Sequence, residues 1–592
     1  DVVRSRGLGD VYKRQQWGTV REDYSADGNA WSSFPHDHAR MRCYRWGEDG
    51  LLGISDDKGL LCFGLTLWNG RDPILKERPF GLANGEGNHG EDLKDYFFHL
   101  LNTPTHSFMR GLYKYPQQEF PYQHLVEENG RRGRDQPEYE LVETGIFDGN
   151  RYFDVFVDYA KATPEDLLIR IRVVNRGADE AELNLIPTLW LRNLWDWGYK
   201  EDWRQREPIR LQGDCIETPD VHGVGTYQLA CREQGTWLFT ENETNTERLY
   251  QQPNAQPYVK DAFHRYVVNG EQTAVNPAQE GTKAGLLLQQ RIAGGAEWVV
   301  DLRLARELPA DPFDGSFDQL LQQREQECLD YFNSCAPGLS ADDALIFRSA
   351  ASGLLWCKKF YRWTVVRWLS GDPNHPSPPP ERLKTQNAYW RRMHADDVIS
   401  MPDSWEYPYF CQWDLMFHSV AFACIDPAVA KQQSMLLRSP WYTAPNAQTP
   451  AYEWALSDPN PPIGGWAALR IFQIERNEKG YGDLPFLRSA MRKLILEYGW
   501  WANRNDRSGD NVFEGGFLGL DNIGVFDRRY PLPDGSRIEQ CDGTAWMATL
   551  SLNLLQMSVS LAREEPEYSE IAERSGSDTH LRAHETEQQR VC

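Results

Sequence analysis

The hydrophobic period of this chain changes once, near Pro312, and that change limits it to a two-part architecture. From Trp17 to about Ala310 apolar and polar residues mostly alternate, as in Tyr152-Phe-Asp-Val-Phe-Val-Asp-Tyr159. Residues 167–174, 183–191 and 298–304 repeat the pattern, with turn signals at Asp148-Gly149-Asn150 and Arg176-Gly177. A period of two places one face of each strand inside. Many short strands joined by polar turns predict a large antiparallel β-sandwich. Beyond Pro312 the apolar residues recur at helical spacing. Residues 317–332 read as a linker helix, and 342–368 as one long helical stretch. Further helices are expected near 415–424, 427–437, 465–476, 485–503 and 543–562. Helix pairs with polar-aromatic loops between them predict an α/α barrel.

Composition narrows the class of function. The net charge of −23 repels nucleic acid and anionic membranes, so neither is an expected partner. No apolar run approaches the roughly 20 residues of a membrane span, and no signal peptide is visible. The 11 cysteines are scattered, with no C-x-x-C pair. That argues against a zinc site and a disulfide framework, and it favours a reducing, cytoplasmic setting. With 22 Trp, 26 Tyr and 25 Phe, the chain is rich in flat apolar faces that carry a polar handle. Carbohydrate sites use such faces, and so does an ordinary large core. Residues 1–16 and 566–592 are patternless at both ends. They resemble adapter or read-through sequence and are expected to be non-native tails, with natural disordered tails as the alternative.

Three clusters in the helical half could carry chemistry. The first is Ser400-Met-Pro-Asp-Ser-Trp-Glu-Tyr-Pro-Tyr409, leading into Phe410-Cys-Gln-Trp-Asp-Leu-Met-Phe-His418. Asp414 opens a helix between Trp413 and Phe417. Desolvation among aromatics raises a carboxyl pKa, which a general acid needs. A helix N-terminus pulls it the other way. A helix cap is the competing reading of Asp414. The second cluster holds Asp521, Asn522, Glu539 and Asp542 in a glycine-rich stretch, acceptors of the kind that fix sugar hydroxyls. Ordinary capping accounts for Asp542 but poorly for Glu539 and Asp521. The third is Tyr452-Glu-Trp-Ala-Leu-Ser-Asp-Pro-Asn-Pro-Pro462, where Glu453 beside Trp454 is either a substrate contact or part of an exposed loop.

Other signals are set aside. Gly85-Glu-Gly-Asn-His-Gly90 has the G-x-G-x-x-G spacing, but its acids would repel a pyrophosphate. His36-Asp37-His38 lacks a third metal ligand and reads as hydrogen-bonded structure. Asn242-Glu-Thr244 has meaning as a glycosylation site only in a secreted chain. No P-loop and no Gly-x-Ser-x-Gly elbow occur.

At these clusters the chain resembles the bacterial, mannosylglycerate-hydrolase-like branch of glycoside hydrolase family 63. That family includes processing α-glucosidases and enzymes acting on glucosylglycerate and mannosylglycerate. The resemblance runs from about Trp17 to Ala562. It rests most on Trp405-Glu-Tyr-Pro408, Trp413-Asp414, Gly515-Gly-Phe-Leu-Gly-Leu-Asp-Asn522 and Glu539-Gln-x-Asp542-Gly-Thr-x-Trp546. It implies an N-terminal sandwich over 17–311, a linker over 312–340 and the first half of an (α/α)6 six-hairpin barrel over 341–565. It also implies inverting hydrolysis by two carboxylic acids standing roughly 6.5–9.5 Å apart, without a metal or other cofactor.

The resemblance gives Asp414 the role of general acid. Trp405, Glu406, Trp413, His418, Glu453, Trp454, Asp521, Asn522, Glu539 and Asp542 become the sugar contacts. The expected substrate is a small carbohydrate or oligosaccharide with an α-glucosidic or related bond. Two departures stand out. Relatives carry His-Ala-Trp where this chain has Gly464-Gly465-Trp466. The family's general base, a late Glu beyond a Trp-Arg-Gly-Pro-type segment, has no counterpart here. The chain is therefore expected to be C-terminally truncated and inactive by itself. A phosphorylase would need a basic site near Asp414, for which only Arg391-Arg392 offers itself. A non-catalytic sugar-binding protein is the other alternative. Oligomeric state is not legible.

Overall fold

The computed structural model describes residues 35–48, 50–82, 92–132, 136–199, 206–221, 223–384, 388–401, 410–449, 460–503, 534–536 and 542–575. The described residues fall into two compact units. The first draws on Asp1–Arg362 and Gly371–Pro378, the second on Trp363–Ser370, Pro379–Pro402 and Tyr409–Cys592. Antiparallel sheets therefore precede a helical region, as the change of period implies.

The first unit is built on two antiparallel sheets. The smaller has the order Leu51–Ser55, Leu61–Trp68, Ala181–Leu191, Lys283–Ile292, Thr236–Thr240. The larger has nine strands, among which Glu297–Ala305, Asp166–Asn175, Tyr152–Thr163 and Phe108–Pro116 run side by side. Alternation along these strands delivers one set of side chains to a shared core. Leu61, Phe63, Leu65 and Leu189 from one sheet join Val155, Val157, Ile169 and Ile171 from the other. The opposite face of the larger sheet carries charge pairs across neighbouring strands. Arg110 binds Asp158 at 2.7 Å and Arg170 binds Asp301 at 2.7 Å.

The linker helix α1 (Gly315–Cys335) lies on that charged face. Its Glu325 meets Arg110 at 2.6 Å and its Asp318 meets Arg170 at 2.5 Å. Asp314 caps α1 by accepting from the Ser316 N–H. Helix α2 (Ala341–Trp356), capped by Ser340, ends on the buried Trp356, whose ring stacks on His99 at 4.6 Å. Here the structure departs from the single helix expected over 342–368. The chain leaves α2 and runs as a strand, Lys358–Thr364, before the short helix α3 (Val365–Ser370). Phe360, Tyr361, Trp363 and Thr364 favour extended backbone, and all but one residue of that strand is buried, so burial overrides helical spacing.

Two small motifs resolve as structure. His36-Asp37-His38 forms a helical turn, with the His36 ring stacked on Tyr122 and edge-on to Phe80. Asn242 is buried, its amide donating to Glu48 at 2.9 Å and to the Leu191 carbonyl at 3.0 Å.

The second unit is helical. Its long helices are α4 (Gln412–Phe422), α5 (Pro427–Leu436), α6 (Gly464–Lys479), α7 (Leu484–Ala502) and α8 (Asp542–Ala562). Asp426 and Asp483 cap α5 and α7, each followed by a proline in the first turn, where no N–H is missed. Among the described residues, no helix is long and apolar enough to cross a membrane.

Among the described residues of the first unit, His36, His106 and His264 are buried. Burial holds His36 and His106 well below 6.5 and brings His264 down to about 4, with Arg40 adding to the effect at His264. The His264 Nδ1 accepts from the Leu75 N–H at 3.2 Å, so the ring is held neutral. A base with a depressed native pKa gives stability that is complete above 6.5 and lost as pH falls toward the native value. Relative to His264→Gln, the wild type should therefore lose roughly 3 kcal/mol between pH 6.5 and 4. Denaturant unfolding of both proteins across that range measures it, and parallel pH curves would refute the assignment.

Candidate functional site

Helix α4 has two unlike faces. Gln412, Leu415, Met416, Ser419 and Phe422 are buried, whereas Trp413, Asp414 and His418 are half-buried and Phe417 is 45% exposed. The polar-aromatic face is therefore the accessible one. Cys411 is the N-cap, in extended backbone and without a side-chain cap bond. Asp414 stands three residues further on, within the first turn. The cap reading of Asp414 is thus not the arrangement found.

The Asp414 carboxyl is pushed up from its ordinary 3.8 by burial. Hydrogen bonds from the Cys411 thiol and from its own backbone N–H pull it down, and burial wins. The Cys411 thiol is itself driven well up by burial and by the Asp414 charge, so it stays protonated and donates. Its sulfur accepts from the Asn460 amide at 3.6 Å. The chain Asn460–Cys411–Asp414 fixes the carboxyl group without neutralising it.

Aromatic rings border the acid. Trp413 lies 6.0 Å from Phe417, and Phe417 lies 5.4 Å from Trp466 at the start of α6. His418 shares a hydrogen bond of 2.9 Å with the Ser400 hydroxyl, at the end of the strand His394–Ser400. The Ser400 N–H donates to Gln433 on α5 at 3.1 Å.

Beneath α4 sits a buried ion pair. Arg438 approaches Glu497 on α7 at 3.6 Å, donates to the Ser434 carbonyl and reaches the Met416 sulfur at 3.7 Å. Gln412 approaches the same Glu497 at 3.5 Å. Gln412 and Met416 flank Asp414 in sequence, so the pair holds the buried side of the turn that carries the acid. This also explains Gly464. A Cβ at 464 would overlap the guanidinium of Arg438, which lies just past the end of α5, so the arginine occupies the space a side chain at 464 would need.

Of the residues singled out from sequence, the structure brings Trp413, Asp414 and His418 onto one stretch of α4. Asp542 opens α8. Trp405, Glu406, Glu453, Trp454, Asp521, Asn522 and Glu539 lie outside the described residues. Sequence reading missed Cys411, Asn460 and Arg438 as supports. The Trp413-Phe417 spacing of four was a readable signal for the aromatic pair. Nothing in the sequence links Cys411 to Asn460, 49 positions apart.

No family model matches the chain. It is 43% identical over 610 aligned positions to the uncharacterized protein YMR196W of Saccharomyces cerevisiae, across 95% of this chain and 56% of that protein. The chain thus spans little more than half the length of that curated relative. Distant structural likeness extends to carbohydrate-active enzymes. A human-microbiome protein provisionally named a kojibiose phosphorylase aligns over 90% of this chain and 63% of its own, at 9% identity and TM-score 0.29. The 4-α-glucanotransferase of Thermococcus litoralis aligns over 50% and 33%, at 8% identity and TM-score 0.19. A polysaccharide lyase aligns over 93% and 76%, at 9% identity and TM-score 0.20.

Gly464→Ala should displace the Arg438 guanidinium and strand Glu497, at a cost of about 3 kcal/mol. Chemical denaturation measures it. A neutral Gly464→Ala substitution would show that Arg438 is free to move aside.

Proposed function

We propose that this chain carries the acid half of an inverting glycosidase that hydrolyses an α-glucosidic or related bond in a small carbohydrate. The observation that carries the reading is Asp414, a carboxyl group whose burial outweighs its helix N-terminus, on the accessible aromatic face of α4. The helical unit is read as part of an (α/α)6 barrel, with 17–311 as its sandwich partner. The residues at Trp405, Glu406, Glu453, Trp454, Asp521, Asn522, Glu539 and Asp542 are proposed as sugar contacts, beside Trp413 and His418.

In the reaction, protonated Asp414 gives its proton to the glycosidic oxygen as the bond to the anomeric carbon breaks. Water attacks that carbon from the opposite face. A second carboxylate takes the water's proton, so acid and base end exchanged in protonation. Cys411 orients the acid through its thiol hydrogen, and the Trp413–Phe417–Trp466 rings offer an apolar face to a sugar ring. The second carboxylate is assigned to no residue of this chain.

The test uses the full-length protein, with sugar release from glucosylglycerate and small α-glucosides as the readout. Asp414→Asn should lower kcat at least about 100-fold. Activity should also decline as pH rises through an Asp414 pKa above the ordinary 3.8, because only the protonated acid works. Undiminished sugar release by Asp414→Asn would end this reading.

A further inference from the structure

One large ring at the acid's end of the helical unit takes no part in the chemistry above. Helix α4 ends at Phe422 and α5 begins at Pro427, so the short link 423–426 returns the end of α5 to the start of α4. Arg438, just past α5, reaches Met416 on α4 at 3.7 Å. Gly464, at the start of α6, lies against the same guanidinium. The start of α4, the end of α5 and the start of α6 thus share one end of the unit, and Asp414 is in the first turn of α4.

The turn Ser439-Pro440-Trp441-Tyr442 follows α5 at that end. The Tyr442 N–H donates to the Ser439 carbonyl at 3.0 Å, and the Thr443 hydroxyl donates to the same carbonyl at 3.0 Å. Pro440 presets the second position of such a turn. Tyr442 is buried. Its ring meets Phe410 edge-on at 5.7 Å, and its hydroxyl donates to Asp397 at 3.3 Å. Phe410 directly precedes Cys411, whose thiol donates to Asp414, so the turn is fixed to the backbone that carries the acid. Trp441, at the corner, is by contrast 60% exposed. Among the described residues its ring stacks on no other and its indole N–H has no hydrogen-bond partner. An indole held out on a rigid turn forgoes the burial most tryptophans obtain, and it loses little freedom when a flat partner covers it. Its apolar face suits the C–H side of a sugar ring, and its N–H can donate to a hydroxyl. Trp413, Phe417 and Trp466 form the ring series beside Asp414, and Trp441 is not part of it. The sugar ring that suits Trp441 is therefore not the one those rings hold beside the acid.

We infer that Trp441 is a specificity-determining residue that stacks on a second sugar ring of the substrate, so that an oligosaccharide is preferred over a glucoside of a small non-sugar group. This rests on the reading of Asp414 as the acid of a glycosidase.

The experiment is calorimetric titration of the full-length protein carrying Asp414→Asn, so that ligand is not consumed, with maltotriose and separately with methyl α-glucoside. Maltotriose should bind saturably. Its affinity should fall about tenfold on adding Trp441→Ala and be nearly kept with Trp441→Phe, which retains a flat ring. Methyl α-glucoside should bind all three proteins equally. Far-ultraviolet circular dichroism and melting should stay unchanged, because the exposed ring makes no internal ring contact. Absent maltotriose binding, maltotriose binding unchanged by Trp441→Ala, or equal weakening of both ligands would overturn the inference. So would a dimer, seen by sedimentation, that Trp441→Ala dissociates while maltotriose affinity holds, since the ring would then be an interface between copies. None of these results touches the acid reading, which falls only if sugar release by the full-length protein survives Asp414→Asn.

Discussion

Several helices of the second unit converge on one guanidinium. Arg438, just past the end of α5, touches Met416 on α4, lies where a side chain at Gly464 of α6 would be, and faces Glu497 on α7. Both charges are buried, at 5% and 4% exposure, so each depends on the other for compensation. A buried pair of this kind gains little over apolar packing, yet losing one partner is expensive. Its value is specificity: helices that must share one ion pair have little freedom of register. The glycine at 464 is part of the same constraint.

The acid rests on that constraint. Three effects act on Asp414, and they oppose one another. The helix N-terminus and the Cys411 thiol favour the carboxylate, while burial favours the protonated group. Burial prevails because the first turn of α4 is packed in place from beneath through Gln412 and Met416. A looser turn would admit water and return the carboxyl group toward its ordinary acidity. Position, packing and acidity are therefore a single property of this segment.

Much of the fold was legible because period alone determines which face of a segment is buried. The strand read at 152–159 is Tyr152–Thr163, and the helix read at 465–476 is Gly464–Lys479. Periodicity fails where a segment is buried on every side. Lys358–Thr364 has no exposed face to mark a period, and so was read as helix. At the candidate site, residue types pointed to Asp414 and Trp413, since an acid between aromatics is unusual chemistry. Their supports were not legible. Cys411, Asn460 and Arg438 become partners only through tertiary contacts, and no local pattern announces a thiol that will donate to a carboxylate.

The claim at the centre is that Asp414 holds its proton above the usual range for an aspartate. Carboxyl carbon NMR on protein labelled at aspartate, with the Asp414 resonance identified by its loss in Asp414→Asn, measures that titration directly. The account predicts a midpoint clearly above 3.8. A midpoint at or below 3.8 would mean that the helix terminus and the Cys411 hydrogen bond outweigh burial, and Asp414 would then be a poor candidate for the acid.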